Sequence, residues 1–455
     1  MSQIKTDLDK YFNENKSELL KDFYTLLSFK SISTDSNFKS EIISCADWIN
    51  NYLHSIDFNS EVIETDGHPC VYAERIVSDQ VPTVLFYTHY DVQPVDPIEL
   101  WESPPFTPTE RNGEIYARGA IDDKGQLFYV LACLKGLKDK LPHVNIKIIV
   151  EGEEEIGSKS LPKLLEDNKE KFKADYLLIA DCGFHSLEHP AVTLGCRGMI
   201  TMELSITESN TDLHSGEHGG IAYNPIHALV ELLESLRSKE TGKILVPGFY
   251  DEVIDLTIEE KKDLQMLINE VQYEQMFGAP PIGGEKGIPF LESAWLRPTI
   301  EVNGINGGYT GEGFKTVIPK TASCKLSSRL VPAQNPEKIA SLIKKHLESK
   351  IPKGLTLSLN IISDSGWPIR LSPNSKLAQI TKEAYEEAMD KPCGFILCGG
   401  SIPISRELAN LTGAEPVFLG FGLPGDNLHA PNEHFGIDRI RLGMMTIGVL
   451  LNKLS

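Results

Sequence analysis

The 455-residue sequence predicts an α/β protein: a domain with a mostly parallel central sheet flanked by helices, interrupted by an inserted ferredoxin-like α+β domain. Short apolar runs alternate with helical patterns in the first part of the chain, the order that builds a parallel sheet. The middle of the chain reads β-α-β-β-α-β, the split ferredoxin-like unit. The length also exceeds what one hydrophobic core usually supports, and a compact unit whose ends lie close together inserts easily into a host. The expected division is 1–197 for the first segment of the host domain, 198–366 for the insert and 367–455 for the second segment.

Taken in order, Leu19, Leu20, Phe23, Leu26 and Leu27 share one helical face and Cys45, Ile49 and Leu53 another, with a break over residues 31–36. Strand-like runs bounded by turn residues follow at 61–63, 70–72 and 84–88, the last apolar enough to be buried on both faces. Residues 145–150 and 176–180 repeat that type, and 417–421 is a further strand. Between them, Leu127, Val130, Leu131, Leu134 and Leu137 fall at helical spacing, which predicts an amphipathic helix beginning near Lys124. In the insert, strands are expected at 198–207, 297–304, 321–331 and 355–362, and helices at 225–236 and 336–347. Residues 251–281 read as a helical, acidic elaboration without an assigned role.

The 44 basic and 64 acidic residues leave a formal charge of −20, which argues against nucleic acid or an anionic membrane as partner. No stretch approaches a membrane-spanning run, and residues 1–21 lack the apolar core of a signal peptide, so a soluble, cytoplasmic protein is expected. The eight cysteines show no paired short spacings apart from Cys393 and Cys398, and are expected to be reduced, mostly buried thiols.

The expected strands end in ionisable residues. His89 and Asp91 follow the run 84–88, the glutamates 151–155 follow 145–150, Asp181 follows 176–180, and His429 comes after 417–421. Open α/β sheets bind ligands beyond the carboxyl ends of their strands. His89 and Asp91, two apart in extended chain, share a face, so the carboxylate can take one imidazole N–H and orient the ring for metal binding. Asp122 and Asp123 precede the helix at Lys124. Capping of the free N–H groups accounts for one acid but not for two, because adjacent carboxylates repel unless a cation or proton intervenes. The glutamates 153–155 abut a buried strand, where they would raise one another's pKa without a cation, and a metal-activated water needs a nearby general base.

The set His89-x-Asp91-x-x-Pro94, Gly119-x-x-Asp122-Asp123-Lys124-Gly125, Glu151-x-x-Glu154-Glu155-x-Gly157, Asp181 and His429 resembles that of a known family. It is the dinuclear zinc metallopeptidase family of aminoacylases, glutamate carboxypeptidases and carnosinase-like dipeptidases. The surroundings look most like the cytosolic non-specific dipeptidase and carnosinase branch. The supporting residues are Trp101-x-Ser-x-Pro105-Phe106, Asp212-Leu-His214-Ser-Gly216, Lys315-Thr-Val-Ile-Pro319, Ser328-Arg329-Leu-Val-Pro332 and Gly399-Gly-Ser401-Ile-Pro403.

The resemblance implies two divalent metal ions, zinc first, with manganese or cobalt as alternatives. His89, Asp122 and Asp181 would hold one and Asp122, Glu155 and His429 the other, with Asp122 bridging across a cis peptide to Asp123. Asp91 would orient His89, and Glu154 would act as general base on the bridging water. The insert would be a lid that also forms a homodimer, with His214 reaching the partner's site. Arg329 and Ser401, with Thr316 nearby, would hold a substrate carboxylate. The implied activity is hydrolysis of dipeptides or short peptides with a free C-terminal carboxylate. The alternative is an N-acetyl or N-succinyl amino acid deacylase using the same centre. The loop Gly425-Asp426-Asn427-Leu428 is less acidic than the dipeptidase branch often shows, which leaves side-chain preference open. A serine hydrolase is disfavoured, because Ser401 precedes Ile-Pro and no Gly-x-Ser-x-Gly elbow is present.

Overall fold

The computed structural model describes residues 2–255, 270–361 and 366–455. Its larger sheet has nine strands. They run in the order Asn59–Ile63, Cys70–Arg75, Asn145–Glu151, Thr83–His89, Tyr176–Ala180, Glu415–Leu419, Ala191–Cys196 and Ile369–Arg370, with Gly394–Cys398 also beside Ala191–Cys196. The inner strands from Asn145–Glu151 to Glu415–Leu419 are parallel to one another. Towards the flanks, antiparallel pairs replace them. The sheet is therefore mixed: the expected parallel character holds at its centre and again between Ala191–Cys196 and Gly394–Cys398. One cause is visible at Asn59–Ile63 and Cys70–Arg75, whose link is too short for a helical crossover and so forces an antiparallel pair.

The strand expected at 417–421 runs instead over Glu415–Leu419. At Gly420 the chain leaves the ladder, with its N–H and carbonyl both bonded to the Tyr385 hydroxyl at 2.9 Å. A Cβ there would lie 1.7 Å from the Cys182 carbonyl oxygen, so only glycine fits this crossing. Three strands of this sheet were not anticipated: Ala191–Cys196, Ile369–Arg370 and Gly394–Cys398. Ala191–Cys196 runs almost directly into Gly198–Thr207, with Arg197 alone between them.

The helix expected near Lys124 spans Lys124–Gly136, but it is buried on every side from Lys124 to Leu134 and so is not amphipathic. It is wedged among the sheet and the helices Gln3–Ser28 and Ile437–Leu454. Gly443 of the last helix lies against the Tyr129 ring, where a Cβ would come within 2.5 Å. Polar positions on this helix had nowhere to face, which is why Phe128, Tyr129, Ala132 and Cys133 fill the side opposite the expected stripe.

The second sheet has four antiparallel strands in the order Thr299–Gly307, Thr321–Leu330, Gly198–Thr207 and Thr356–Ile361. Helices Pro225–Leu236 and Pro336–Lys350 pack on it around Ile200, Leu204, Leu229, Leu326 and Ile343. Both helices begin with proline after an asparagine whose side chain accepts a backbone N–H, at 2.9 Å for Asn224 and 3.0 Å for Asn335. Chain order and strand order together are those of a ferredoxin-like unit. Residues 256–269, the middle of the elaboration expected over 251–281, lie outside the described residues, as do 362–365 at the end of the last expected insert strand. Among the described residues, no helix is long and apolar enough to cross a membrane.

Candidate active site

His89 is the last residue of Thr83–His89 and is fully buried. Its Nδ1 faces Asp91, 3.1 Å from the carbonyl oxygen and 3.3 Å from Oδ1. Its Nε2 lies 3.1 Å from Asp122 Oδ1 and 3.9 Å from Asp181 Oδ1. The Asp91 carboxylate also accepts the backbone N–H groups of Glu154 at 3.2 Å and Glu155 at 3.1 Å. One buried acid thus orients the ring and fixes the short turn Glu154–Ile156 that follows Asn145–Glu151.

Asp122 presents its two oxygens to two histidines, Oδ1 to His89 and Oδ2 to His429 Nε2 at 2.7 Å. The peptide between Asp122 and Asp123 is cis. Asp123 stands at the N-cap position of Lys124–Gly136 but makes no cap hydrogen bond; its Oδ2 accepts the His89 N–H at 3.1 Å instead. Glu155 accepts from Gln93 Nε2 at 2.7 Å and lies 3.4 Å from His429 Nε2. Two groups offer ligand atoms within 4.8 Å of one another: His89, Asp123 and Asp181, and Asp122, Glu155 and His429.

The crowding of buried carboxylates in the cluster favours positive charge among them. Burial, reinforced by the neighbouring acids, pushes the Glu154 and Asp181 carboxyls well above their ordinary range, and Glu155 upward too. Burial opposes the charged form of His429, yet Asp122 and Glu155 raise it to about 10. For Asp122, burial is outweighed by hydrogen bonds from His429 and His89, which lower it. Glu155 Oε1 and Asp123 Oδ1 are buried without a hydrogen-bond partner among the described residues. A mixed carboxylate and imidazole set with open lone pairs fits divalent cations.

His429 sits on a loop in left-handed backbone, φ 59°, with roughly half of its side chain exposed. Buried carboxylates hold both roots of that loop. Asp426 pairs with Arg439 and accepts the Leu423 N–H at 2.7 Å. Glu433 pairs with Arg118 at 2.6 Å and accepts the N–H groups of Gly119, Ile121 and Asp122 at 2.9–3.1 Å. Sequence reasoning missed Glu433 and gave Gln93 no role. The available signal for Glu433 was an acid between the turn residues Pro431 and Asn432 and the buried Phe435.

Arg329, near the end of Thr321–Leu330, donates from Nη1 to Ser401 Oγ at 2.7 Å, joining the insert to the host sheet's far segment. His214 and Thr316 lie side by side elsewhere: Leu213–His214 pairs with Val317–Ile318, and the Ser215 N–H donates to the Thr316 carbonyl at 3.1 Å. Both are exposed. Among the described residues, no hydrogen bond or ion pair joins His214 to the acid and histidine cluster of its own chain.

A family profile described as Peptidase family M20/M25/M40 matches residues 85–453, most of the chain. The chain belongs to this family. As an M20/M25/M40 peptidase it is a hydrolase that works with divalent metal ions. It is 29% identical to a Cys-Gly metallodipeptidase dug1 of Schizosaccharomyces pombe, over 99% of both chains. It is 33% identical to a Beta-Ala-His dipeptidase of Homo sapiens, over 80% of this chain and 73% of that one. Among solved structures, the di-peptidase Dug1p from Saccharomyces cerevisiae superposes with a TM-score of 0.88 at 26% identity, covering 100% of this chain and 99% of that one. Human carnosine dipeptidase 1 gives 0.85 at 27% identity, with 99% of each chain covered.

Proposed function

We propose that the chain hydrolyses the amide bond of dipeptides or short peptides that carry a free C-terminal carboxylate. The observation that carries this reading is the convergence of His89, Asp122, Glu155, Asp181 and His429 with Glu154 at the strand ends. The Arg329–Ser401 pair supplies a recognition point for an anion. The dipeptidase names of the relatives support it over the N-acyl amino acid alternative.

Two divalent cations, zinc by preference, would be held by His89, Asp122 and Asp181 and by Asp122, Glu155 and His429. Asp122 suits the bridging place better than Asp123, because its oxygens face both histidines while Asp123 is bonded to the His89 backbone. When bound, such ions polarise a scissile carbonyl and acidify water. Glu154 would take the water proton and hand it to the leaving amine. A carboxyl raised by burial and by neighbouring acids suits a group that must hold a proton between those two steps. Arg329 and Ser401 would grip the substrate carboxylate, and Asp91 would hold His89 in place; Thr316, beside His214, would join them only from the partner subunit. His214 of the partner subunit would face the carbonyl oxygen, in a cytoplasmic homodimer formed through an insert spanning 198–366.

Glu154→Gln tests the mechanism. Turnover should fall by about 10²- to 10⁴-fold while metal content is kept, as read by steady-state kinetics and elemental analysis. Undiminished turnover would sink the assignment. A panel of dipeptides set against N-acetyl and N-succinyl amino acids tests the substrate class.

A further inference from the structure

Arg197 stands where the chain crosses from Ala191–Cys196 of the large sheet into Gly198–Thr207 of the insert. Its backbone N–H donates to the Gly400 carbonyl at 3.0 Å, its Nε to the Gly399 carbonyl at 2.8 Å, and its Nη1 to the Arg297 carbonyl at 3.2 Å. Ser401, the next residue of that loop, is the one bonded to Arg329. Both loop carbonyls are therefore drawn towards Arg197. An anion pocket needs this arrangement, since a carbonyl oxygen turned into it would repel the ligand. The path of the loop is fixed from the other side as well. A Cβ on Gly399 would lie 2.7 Å from the Ala294 carbonyl oxygen and 3.1 Å from Trp295 Cδ1.

The charges point the same way. Among the described residues, neither Arg197 nor Arg329 forms an ion pair, in a chain whose formal charge is −20. Burial, and next the Arg329 guanidinium, push Arg197 down to about 10, so it remains charged at neutral pH. Two partly buried like charges with no ion-pair partner, offset only by the more distant Glu301 and the Cys398 sulfur, favour an anion joining them. The field reaches the neighbouring Cys398, whose Sγ accepts the Gly400 N–H at 3.3 Å. A hydrogen bond from Cys182, then that N–H and the two guanidiniums, pull this thiol down to about 7.

We propose that Arg197 is a positioning residue of the carboxylate pocket, turning the carbonyls of Gly399 and Gly400 away from the ligand and adding a second positive charge behind Arg329. The proposal rests on the reading that Arg329 and Ser401 receive the substrate's C-terminal carboxylate. Arg197 then decides between free acids and neutral termini without touching the reacting bond.

The test compares kcat and KM of the metal-loaded enzyme on one dipeptide and on the same dipeptide as its C-terminal carboxamide. Arg197→Met should raise KM for the acid about 10- to 100-fold, leave kcat within about threefold, and leave KM for the amide unchanged. Arg197→Lys keeps the charge and should recover part of the loss. If Arg197→Met does not fold, the Lys variant must still show a KM rise confined to the acid. Equal effects on acid and amide, or an unchanged KM for the acid, overturn the proposal. Arg329→Met is the control for the underlying reading. Wild-type enzyme that fails to distinguish acid from amide removes both ideas, whereas discrimination abolished by Arg329→Met and untouched by Arg197→Met removes only this one.

Discussion

Glu151 shows how burial alone sets the behaviour of a side chain close to the site. It ends the strand beside His89, and its Oε1 accepts from the Tyr87 and Ser158 hydroxyls. Burial raises it from 4.5 to about 7 against those hydrogen bonds. The folded protein then keeps a proton that the unfolded chain has already released. Its contribution to stability is full below about pH 4.5 and is lost as pH rises towards 7. Relative to Glu151→Gln, the wild type should therefore lose about 3 kcal/mol of unfolding free energy across that interval. Denaturant titrations of both proteins at several pH values measure this, and a pH-independent difference would refute it. At this scale much was legible. His89, Asp122, Glu155, Asp181 and His429 stand beside predicted strand ends or a helix start, and their residue types suit the metal chemistry that the family resemblance implies. Glu433 was not legible, because its hydrogen bonds to Gly119, Ile121 and Asp122 span more than 300 positions of sequence and exist only in the folded chain.

Among elements, the loop that carries His429 is the most exposed to damage at a distance. Its Glu433 root holds the buried Arg118 and three backbone N–H groups of the Asp122 loop, so one carboxylate ties together the two chain segments that supply Asp122 and the exposed His429. Glu433→Gln keeps the shape but leaves Arg118 buried without a counter-charge. The expected loss is about 3–5 kcal/mol in denaturant unfolding, with weaker metal retention against a chelator. A variant with unchanged stability would show that the loop is held by other contacts. The helix Lys124–Gly136 teaches a different lesson. A stripe at Leu127, Val130, Leu131 and Leu134 was read as one apolar face, although Phe128, Tyr129, Ala132 and Cys133 filled the opposite one. Periodicity finds a helix, but burial on all sides depends on what the rest of the chain places around it.

For the whole molecule, the α/β host and the ferredoxin-like insert were readable because each obeys a chain order with few solutions. The flanking strands were not, since Ile369–Arg370 and Gly394–Cys398 are short edge pieces defined by their partners. The proposed dimer makes its prediction here. Glu154→Gln and His214→Ala chains, each inactive alone, should regain about a quarter of wild-type activity when exchanged into mixed dimers, if each site combines Glu154 of one chain with His214 of its partner. No recovery after confirmed subunit exchange would place both residues in the same chain's site. A last consequence follows from the position of Glu415–Leu419 between Tyr176–Ala180 and Ala191–Cys196. A chain emerging from the ribosome delivers the insert before the strand that completes its host sheet, and His429 later still. During its own synthesis the peptidase lacks both its fourth buried strand end and the proposed ligand His429 until the last part of the chain is translated.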